Sequence, residues 1–316
     1  MLRSLLIYLS QAVWAQRIVM GFPLARRTAL RFVAGETLED ALAVAAELNA
    51  AGMLATLDLL GEHTQDRAAA EQSTNNILDT LKKVEASGVR ASLSIKLTQI
   101  GLKLDEQLTA EHLEQILQEA QRRELFVRID MEEAAVVDAT MRLLRAMREK
   151  GFVNVGAVIQ SYLYRSETDV RELLGKGITI RLVKGAYKES PEVAFPKKAD
   201  VDAAFDRISE ILLAASKESA VKRKDTWPPL GAIASHDEKR LRFAEEFAAE
   251  IGLEKQFLEF QMLYGIRREL QRELADKGYP VRIYVPFGSQ WYPYFMRRLA
   301  ERPANLWFFV SNLVKR

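Results

Sequence analysis

Short apolar runs rich in β-branched residues alternate with longer amphipathic segments along most of this chain. Such runs are typical of buried strands, and they lie at 53–59, 91–97, 125–131, 153–160, 178–184, 231–236, 256–262 and 281–287. Apolar residues at helical spacing predict helices between them, for example at 66–86, 109–122, 133–149, 167–175, 200–219, 237–251 and 266–277. The chain therefore reads as a series of βα units.

Strands that alternate with helices indicate parallel pairing. Eight such units without a break in composition favour a closed (βα)8 barrel over an open doubly wound sheet. We expect this α/β barrel to be one catalytic domain over residues 31–316, preceded by a helical arm over 1–30. The segment 218–230 is interpreted as a solvated surface loop.

The N-terminal arm is rich in apolar residues, but Ser10, Gln11, Gln16 and Arg17 interrupt the run. It is too broken for a signal peptide or a membrane span. Two interpretations remain open: an amphipathic helix packed on the barrel or on a partner subunit, and a helix in contact with a membrane surface. We expect a cytoplasmic protein, with peripheral membrane association and homo-oligomerisation as open alternatives.

Composition excludes several kinds of chemistry. The formal net charge of the 316 residues is +2 and the basic residues are interspersed with acids, so nothing favours nucleic acid as a partner. The chain has no cysteine, which excludes disulfides, thiolate catalysis and zinc–thiolate sites. Its three histidines have no metal-ligand spacing, and we expect no metal. Serine-hydrolase, Walker A and dinucleotide-binding glycine motifs are absent from the sequence.

Polar residues fall at the carboxyl ends of most predicted strands. They are Lys96, Asp130, Gln160, Arg181, Lys184, Ser235, His236, Gln261 and Tyr284. Barrel enzymes build their sites at this end of the strands, and Lys and Asp are almost never buried unless they are paired. Together these side chains predict a site on that rim.

The last predicted helix, from about Gln290 to Glu301, brings a second polar group. Tyr294, Arg297, Arg298 and Glu301 lie within an arc of roughly 100°. An arginine pair beside a tyrosine is suited to binding a carboxylate, because a guanidinium presents parallel donors to two oxygens. Periodicity alone leaves a basic surface helix as an equal alternative.

The residues by themselves predict a barrel enzyme that acts on a small carboxylate. A Schiff-base aldolase using Lys96 or Lys184 is one alternative, since a lysine at a strand end is the nucleophile of such enzymes. A barrel that only binds ligands is another, and the crowded polar rim disfavours it.

Several segments resemble the proline dehydrogenase family, and in particular its monofunctional bacterial branch. They are SIKLTQIGL (94–102), VRIDMEE (127–133), IQSYLYR (159–165), RLVKGAYKE (181–189), ASHD (234–237), EFQMLYGIR (259–267) and YVPFGSQWYPYFMRRLAERPANL (284–306). The resemblance extends from about Arg31 to the C-terminus. It implies oxidation of L-proline to 1-pyrroline-5-carboxylate by hydride transfer to FAD, with FMN as the alternative, and re-oxidation by a quinone. This is the first step of proline degradation to glutamate.

The resemblance also implies roles for individual residues. Arg297 and Arg298 resemble the pair that binds the substrate carboxylate, and Lys96 matches the lysine that joins them. Asp130 and Arg181 are the implied catalytic residues: the first corresponds to the acid beside that lysine, and the second to the arginine near flavin N5.

Further positions match the walls of the substrate pocket and the flavin site. Tyr284, Tyr294 and Leu263 resemble residues that line the proline pocket, and Glu62 resembles a gating acid that pairs with Arg297. The implied flavin contacts are Met131, Gln160, Arg181, Lys184, Gly185, Ala186, Ser235, His236 and Glu301. Ser235 stands where a threonine is common, and the hydroxyl is kept.

Overall fold

The predicted barrel is present. The computed structural model describes residues 12, 14, 29–61, 64–219 and 227–301, except for the side chains of 299–301. Eight parallel strands close in chain order, with β1 paired to β8. They are β1 Leu54–Leu59, β2 Ala91–Ile95, β3 Val127–Ile129, β4 Val155–Gln160, β5 Thr179–Val183, β6 Gly231–Ala234, β7 Glu259–Leu263 and β8 Val281–Phe287.

Helices alternate with these strands. They are α1 Leu38–Ala50, α2 Arg67–Ser87, α3 Glu106–Arg122, α4 Ala134–Glu149, α5 Ser166–Gly175, α6 Lys198–Ser219, α7 Glu238–Glu250, α8 Arg268–Asp276 and α9 Trp291–Glu301. Short 3₁₀ helices lie at Leu97–Ile100 and Lys255–Phe257. Helix α1 is not among the helices named from the sequence pattern, and the predicted seventh strand, 256–262, begins within the second 3₁₀ helix.

Acidic and hydroxyl side chains at the N-termini explain where several helices begin. Asp66 accepts from the backbone N–H of Ala69 and starts α2. Asp237 accepts from the N–H of Lys239 and starts α7. Such caps satisfy N–H groups that have no partner inside the helix. The second cap fixes α7 beside the end of β6, where the polar rim lies.

A separate apolar cluster anchors α9. Trp291, Tyr292 and Phe295 are buried against Phe32 and Val33, which precede α1. The backbone around Gly35 is tied to the end of β8, since the N–H of Gly288 donates to the Gly35 carbonyl at 2.9 Å. Helix α9 is therefore held firmly over the end of the barrel and is not a basic surface helix.

The prediction of a solvated surface loop over 218–230 is wrong for the residues that the structure describes at its two ends, 218–219 and 227–230. Helix α6 extends to Ser219, and the segment from Pro228 to Leu230 is buried. The Trp227 indole N–H donates to the Glu124 carbonyl at 3.0 Å, and its ring packs on Phe126. This segment covers the amino end of the barrel. Among the described helices, none is long and apolar enough to cross a bilayer.

Candidate active site

A cavity of about 1150 Å³ opens at the carboxyl ends of the strands. It exceeds the roughly 300–1000 Å³ of ordinary ligand pockets. Most sequence-predicted site residues line it: Lys96, Asp130, Met131, Gln160, Arg181, Lys184, Gly185, Ala186, Ser235, His236, Leu263, Tyr284, Tyr294, Arg297 and Arg298. Glu62 lies outside the described residues, and the side chain of Glu301 is likewise outside them.

A cluster of four polar side chains closes the inner end of the cavity. The Lys96 ammonium donates to Asp58 at 2.8 Å and lies 3.6 Å from Asp130. The Tyr284 hydroxyl donates to Asp130 at 2.7 Å. Burial raises the pKa of Tyr284 well above its ordinary value, so the hydroxyl keeps its proton and remains a donor.

Asp58 is a member of this cluster that the sequence interpretation missed. Its side chain is fully buried, and burial raises the pKa of the carboxyl although the Lys96 charge opposes that shift. The sequence carries one signal for it: an acid inside the apolar run 53–59 indicates a buried carboxylate, and a buried Asp needs a partner. Asp58 therefore gives Lys96 a second carboxylate partner besides Asp130.

Arg181 is fixed in the middle of the cavity wall. Its guanidinium donates to Asp130 at 3.0 Å, to the Ser94 hydroxyl at 3.0 Å and to the Gln261 amide oxygen at 2.5 Å. It also lies over the Tyr284 ring, 5.3 Å from the centroid. Every nitrogen of the guanidinium has a partner, so its position is strongly determined.

The outer lobe of the cavity is built on the ends of β5 and β6. Lys184 donates to Asp202 at 2.5 Å and to Asp237 at 2.6 Å. Gly185 has φ +119°, and a Cβ there would lie 2.4 Å from the Tyr162 ring, so only glycine fits. The absence of a side chain at Gly185 thus lets the chain pass close to the Tyr162 ring at the edge of the cavity.

His236 has a defined tautomer. Its Nε2 accepts from the Leu263 N–H at 2.9 Å, so this nitrogen carries no proton. The neighbouring Ser235 hydroxyl accepts from the Asp237 N–H at 3.0 Å. Both side chains are held by backbone groups at the mouth of β6 and β7.

On α9, Tyr294 and Arg298 are buried, and the guanidinium lies 5.1 Å from the centre of the tyrosine ring. Arg297 is half-buried and also lines the cavity. Two arginines therefore face the same space as Lys96. This end of the cavity suits a small anion with an apolar body.

Glu132 is a second buried acid that the sequence interpretation did not select. It accepts from the backbone N–H of Thr98 at 3.1 Å and from the Thr98 hydroxyl at 2.5 Å. Its own carbonyl accepts from the Gln160 amide at 2.8 Å. Burial raises the pKa of its carboxyl to about 7. Glu132 thereby links the turns after β2 and β3 to the cavity wall.

Neither lysine is arranged as a Schiff-base nucleophile. Lys96 contacts two carboxylates, and so does Lys184. Carboxylates favour the ammonium form, whereas carbonyl attack requires the neutral amine. The geometry therefore disfavours the aldolase alternative.

Comparison with known proteins agrees with the geometry. A sequence model of the proline dehydrogenase family matches residues 41–310. The chain is 39% identical to proline dehydrogenase 1 of Bacillus subtilis (strain 168), over 100% of both chains. It is also 39% identical to the proline dehydrogenase of Deinococcus radiodurans, over 90% of this chain and 89% of that one.

Among solved structures, proline utilization A from Bdellovibrio bacteriovorus, inactivated by N-propargylglycine, superposes with a TM-score of 0.79 at 25% identity. The match covers 88% of this chain and 33% of that longer one. Because the family model covers most of the chain and relatives named proline dehydrogenase are 39% identical to it, the chain belongs to the proline dehydrogenase family and is a proline dehydrogenase.

Proposed function

We propose that this enzyme oxidises L-proline to 1-pyrroline-5-carboxylate with FAD as its cofactor and a quinone as electron acceptor. The observation that carries the proposal is one continuous cavity with two different ends. One end is small, cationic and aromatic, and the other is a long basic lobe. The volume of about 1150 Å³ greatly exceeds what proline alone requires.

The inner end suits proline. Arg297 and Arg298 bind the carboxylate, with Lys96 as a third cation, and a charge-assisted pair gives both orientation and affinity. Tyr284, Tyr294 and Leu263 enclose the ring. Fixing the ring in one orientation presents the C5 hydrogen to the acceptor, which lowers the entropic part of the barrier.

The outer lobe suits a flavin dinucleotide. It extends along α7 from Glu238 to Glu246, and its basic side chains include Lys198, Lys239, Arg242 and Arg267. Lys198, Arg242 and Arg267 also contact carboxylates, but basic side chains outnumber acidic ones along this lobe. This excess of positive charge and the length of the lobe fit a diphosphate and an adenosine, which FAD has and FMN lacks. The residues proposed to hold it are Met131, Gln160, Arg181, Lys184, Gly185, Ala186, Ser235, His236 and Glu301.

The chain's own groups prepare the reaction. When bound, the flavin supplies the two-electron acceptor. The proline nitrogen must be deprotonated for hydride to leave C5, because a protonated amine cannot release its electron pair. Asp130, which fixes Arg181 and Tyr284, and Arg181 itself are the proposed catalytic residues. Arg181 and Lys184 place positive charge where negative charge develops.

Two further assignments complete the proposal. Glu62 closes over the bound substrate by pairing with Arg297. Residues 31–316 form the catalytic domain, and the arm over 1–30 serves contact with the barrel, a partner subunit or a membrane surface. A cytoplasmic enzyme that touches the membrane peripherally would reach a lipid-soluble quinone, and homo-oligomerisation stays an alternative use of the arm.

The absorption spectrum of the purified protein tests the proposal. We expect visible flavin absorption that L-proline bleaches without oxygen, and FAD in the cofactor released by denaturation. Cyclopentanecarboxylate is the control, because it has the ring and carboxylate without the nitrogen and should leave the spectrum oxidised. A colourless protein with no proline-dependent activity after addition of FAD or FMN would refute the proposal.

A further inference from the structure

A chain of buried polar groups runs down the inside of the barrel, beneath the proposed site. Barrel interiors are usually filled by branched aliphatic side chains. Here Arg181, Gln261, Glu259 and Arg282 follow one another through hydrogen bonds, and each is at most 5% exposed. Such groups are costly to bury, so their placement calls for a reason beyond filling space.

Gln261 connects the site to this chain. Its amide oxygen accepts from Arg181 Nε at 2.5 Å, and its amide nitrogen donates to Glu259 at 2.5 Å. An ionised carboxylate only accepts and a guanidinium only donates. Glu259 therefore fixes which end of the amide faces Arg181. In the flipped orientation the amide N–H groups would face the Arg181 N–H, and the amide oxygen would face the Glu259 carboxylate.

Glu259 is itself held. Arg282 donates to both of its carboxylate oxygens, at 2.9 and 3.1 Å, and each side chain is 1% exposed. Arg282 also donates to the Ala55 carbonyl and the Ser92 hydroxyl, both at 3.2 Å. Through Glu259 and Arg282, the amide of Gln261 is thus connected to β1 and β2, which carry Ala55 and Ser92.

The neutrality of Gln261 matters as much as its geometry. Arg181 has one carboxylate partner, Asp130, while its other two acceptors, Ser94 and Gln261, are uncharged. A second carboxylate in place of the amide would cancel more of the positive charge that the site presents. The amide fixes the guanidinium without adding negative charge.

We infer that Gln261 is a positioning residue that, oriented by Glu259, holds the Arg181 guanidinium in place for hydride transfer. This inference rests on the proposed function, in which Arg181 acts beside the flavin. Gln261 acts through Arg181, and the carboxylate-binding arginines of α9 are not among its hydrogen-bond partners.

The test is Gln261→Met in the flavin-loaded enzyme, because methionine keeps the length and volume of the side chain without its acceptor. We expect kcat for proline to fall about ten- to hundredfold, as for a lost hydrogen bond to a charged group. KM should stay within about threefold, since the carboxylate contacts are untouched. The midpoint potential of the bound flavin should become more negative, because Arg181 no longer stabilises negative charge from a fixed position.

Asn154→Leu is the matched control. Asn154 is a fully buried amide at the opposite end of the barrel, where it donates to the Leu117 carbonyl at 3.1 Å. It should lose stability but keep kcat and the flavin potential. If Gln261→Met lowers thermal stability while leaving kcat and potential at wild-type values, Gln261 is only structural and the inference is wrong.

Gln261→Glu separates geometry from charge. The charged groups that contact position 261 are Glu259 on the same strand and Arg181 on β5. Behind them lie Arg282 on β8, Asp130 after β3 and the buried Arg128 on β3. While protonated, the new acid donates to Glu259 and accepts from Arg181, as the amide does. The ratio of the variant's kcat to the wild-type kcat should be near one at acidic pH, and it should fall as the introduced carboxyl loses its proton. A ratio equal to that of Gln261→Met at every pH contradicts the inference.

These outcomes stay distinct from failure of the proposed function. A wild-type protein that binds no flavin, or whose flavin proline does not reduce, refutes the function itself. An active wild type with an unchanged Gln261→Met variant refutes the positioning role alone.

Discussion

Lys96 is the residue that joins the buried Asp58 to the partly exposed Asp130 at the inner end of the cavity. Its ammonium contacts Asp58 and Asp130, and its side chain is 9% exposed. A charge taken out of water is tolerated when it is paired and hydrogen-bonded. Tyr284 completes the cluster through Asp130. A substrate carboxylate entering this end of the cavity therefore meets a cation that is already fixed in place.

Glu132 gives the protein a pH-dependent stability. Its carboxyl has a pKa of about 7 in the folded protein, because burial disfavours the charged form, against an ordinary value of 4.5. The folded state thus binds more protons than the unfolded state between these values. The contribution of Glu132 to the free energy of unfolding should be greatest below pH 4.5. It should fall by about 3 kcal/mol as the pH rises to 7.

Glu132→Gln tests this contribution. The amide keeps an acceptor for the Thr98 N–H and offers a donor to the Thr98 hydroxyl, which matches the neutral acid. Urea unfolding at several pH values should show a smaller decline between pH 4.5 and 7 than in the wild type, and equal or greater stability at pH 8. A variant whose decline matches that of the wild type would show that Glu132 does not titrate in this range.

The positions of site residues were predictable where a motif carried them, and less so elsewhere. The family resemblance selected Lys96, Asp130 and Arg181, and the structure brings them together on one cavity wall. Glu132 was missed because it follows the predicted strand 125–131, where an acid is usually exposed. Asp58 was missed because the apolar run 53–59 does not show which side chains face the barrel interior. That orientation is fixed only by the register of the closed sheet.

At the scale of elements, alternation of strands and helices was enough to predict the barrel, but the ends of strands were not predictable. The apolar run 125–131 forms only the short strand Val127–Ile129. Asp130 follows it and still donates its N–H to the Ile95 carbonyl at 2.9 Å. Hydrophobicity continues past the point where the chain turns to present polar side chains, so periodicity cannot locate that turn.

The β5–α6 connection depends on Gly185. An alanine there would meet the Tyr162 ring and would also have to adopt φ +119°. We expect Gly185→Ala to lose about 1–3 kcal/mol of stability from backbone strain, and to weaken flavin retention because the cavity wall shifts. Thermal denaturation and the flavin content after gel filtration measure the two effects.

Gly175→Ala is the matched control for that substitution. Gly175 ends α5 and is exposed, and a methyl group added there would meet nothing within 4 Å among the described residues. Alanine should raise stability by about 0.4–1 kcal/mol, because it restricts the unfolded chain without strain, and flavin content should not change. If both variants behave alike, the conformation of Gly185 has no special role.

For the whole molecule, the polar interior is the feature that sets this barrel apart. Arg128 is buried near the amino end and donates to the carbonyls of Ala157 and Thr179 at 3.1 and 2.7 Å. Gly156 leaves space for it, since a Cβ there would lie 2.6 Å from the guanidinium. Burial lowers the pKa of Arg128 well below its ordinary value. Strand patterns predicted the closure of the sheet but not this filling, which depends on contacts between non-adjacent strands.

The buried pair Glu259–Arg282 contributes to stability and to the orientation of Gln261, and substitutions separate the two contributions. Removing one partner leaves an unpaired buried charge, so Glu259→Met and Arg282→Met should each lose about 3–5 kcal/mol. The double variant should recover most of that loss, because an apolar pair avoids the cost of burying charge. Its kcat for proline should nevertheless stay low, since Gln261 has lost the carboxylate that orients its amide.

Urea unfolding and steady-state kinetics on the three variants measure the effects on stability and on kcat. Recovery of stability without recovery of kcat would separate folding from positioning, whereas a double variant that regains both stability and kcat would show that Glu259 does not position Gln261.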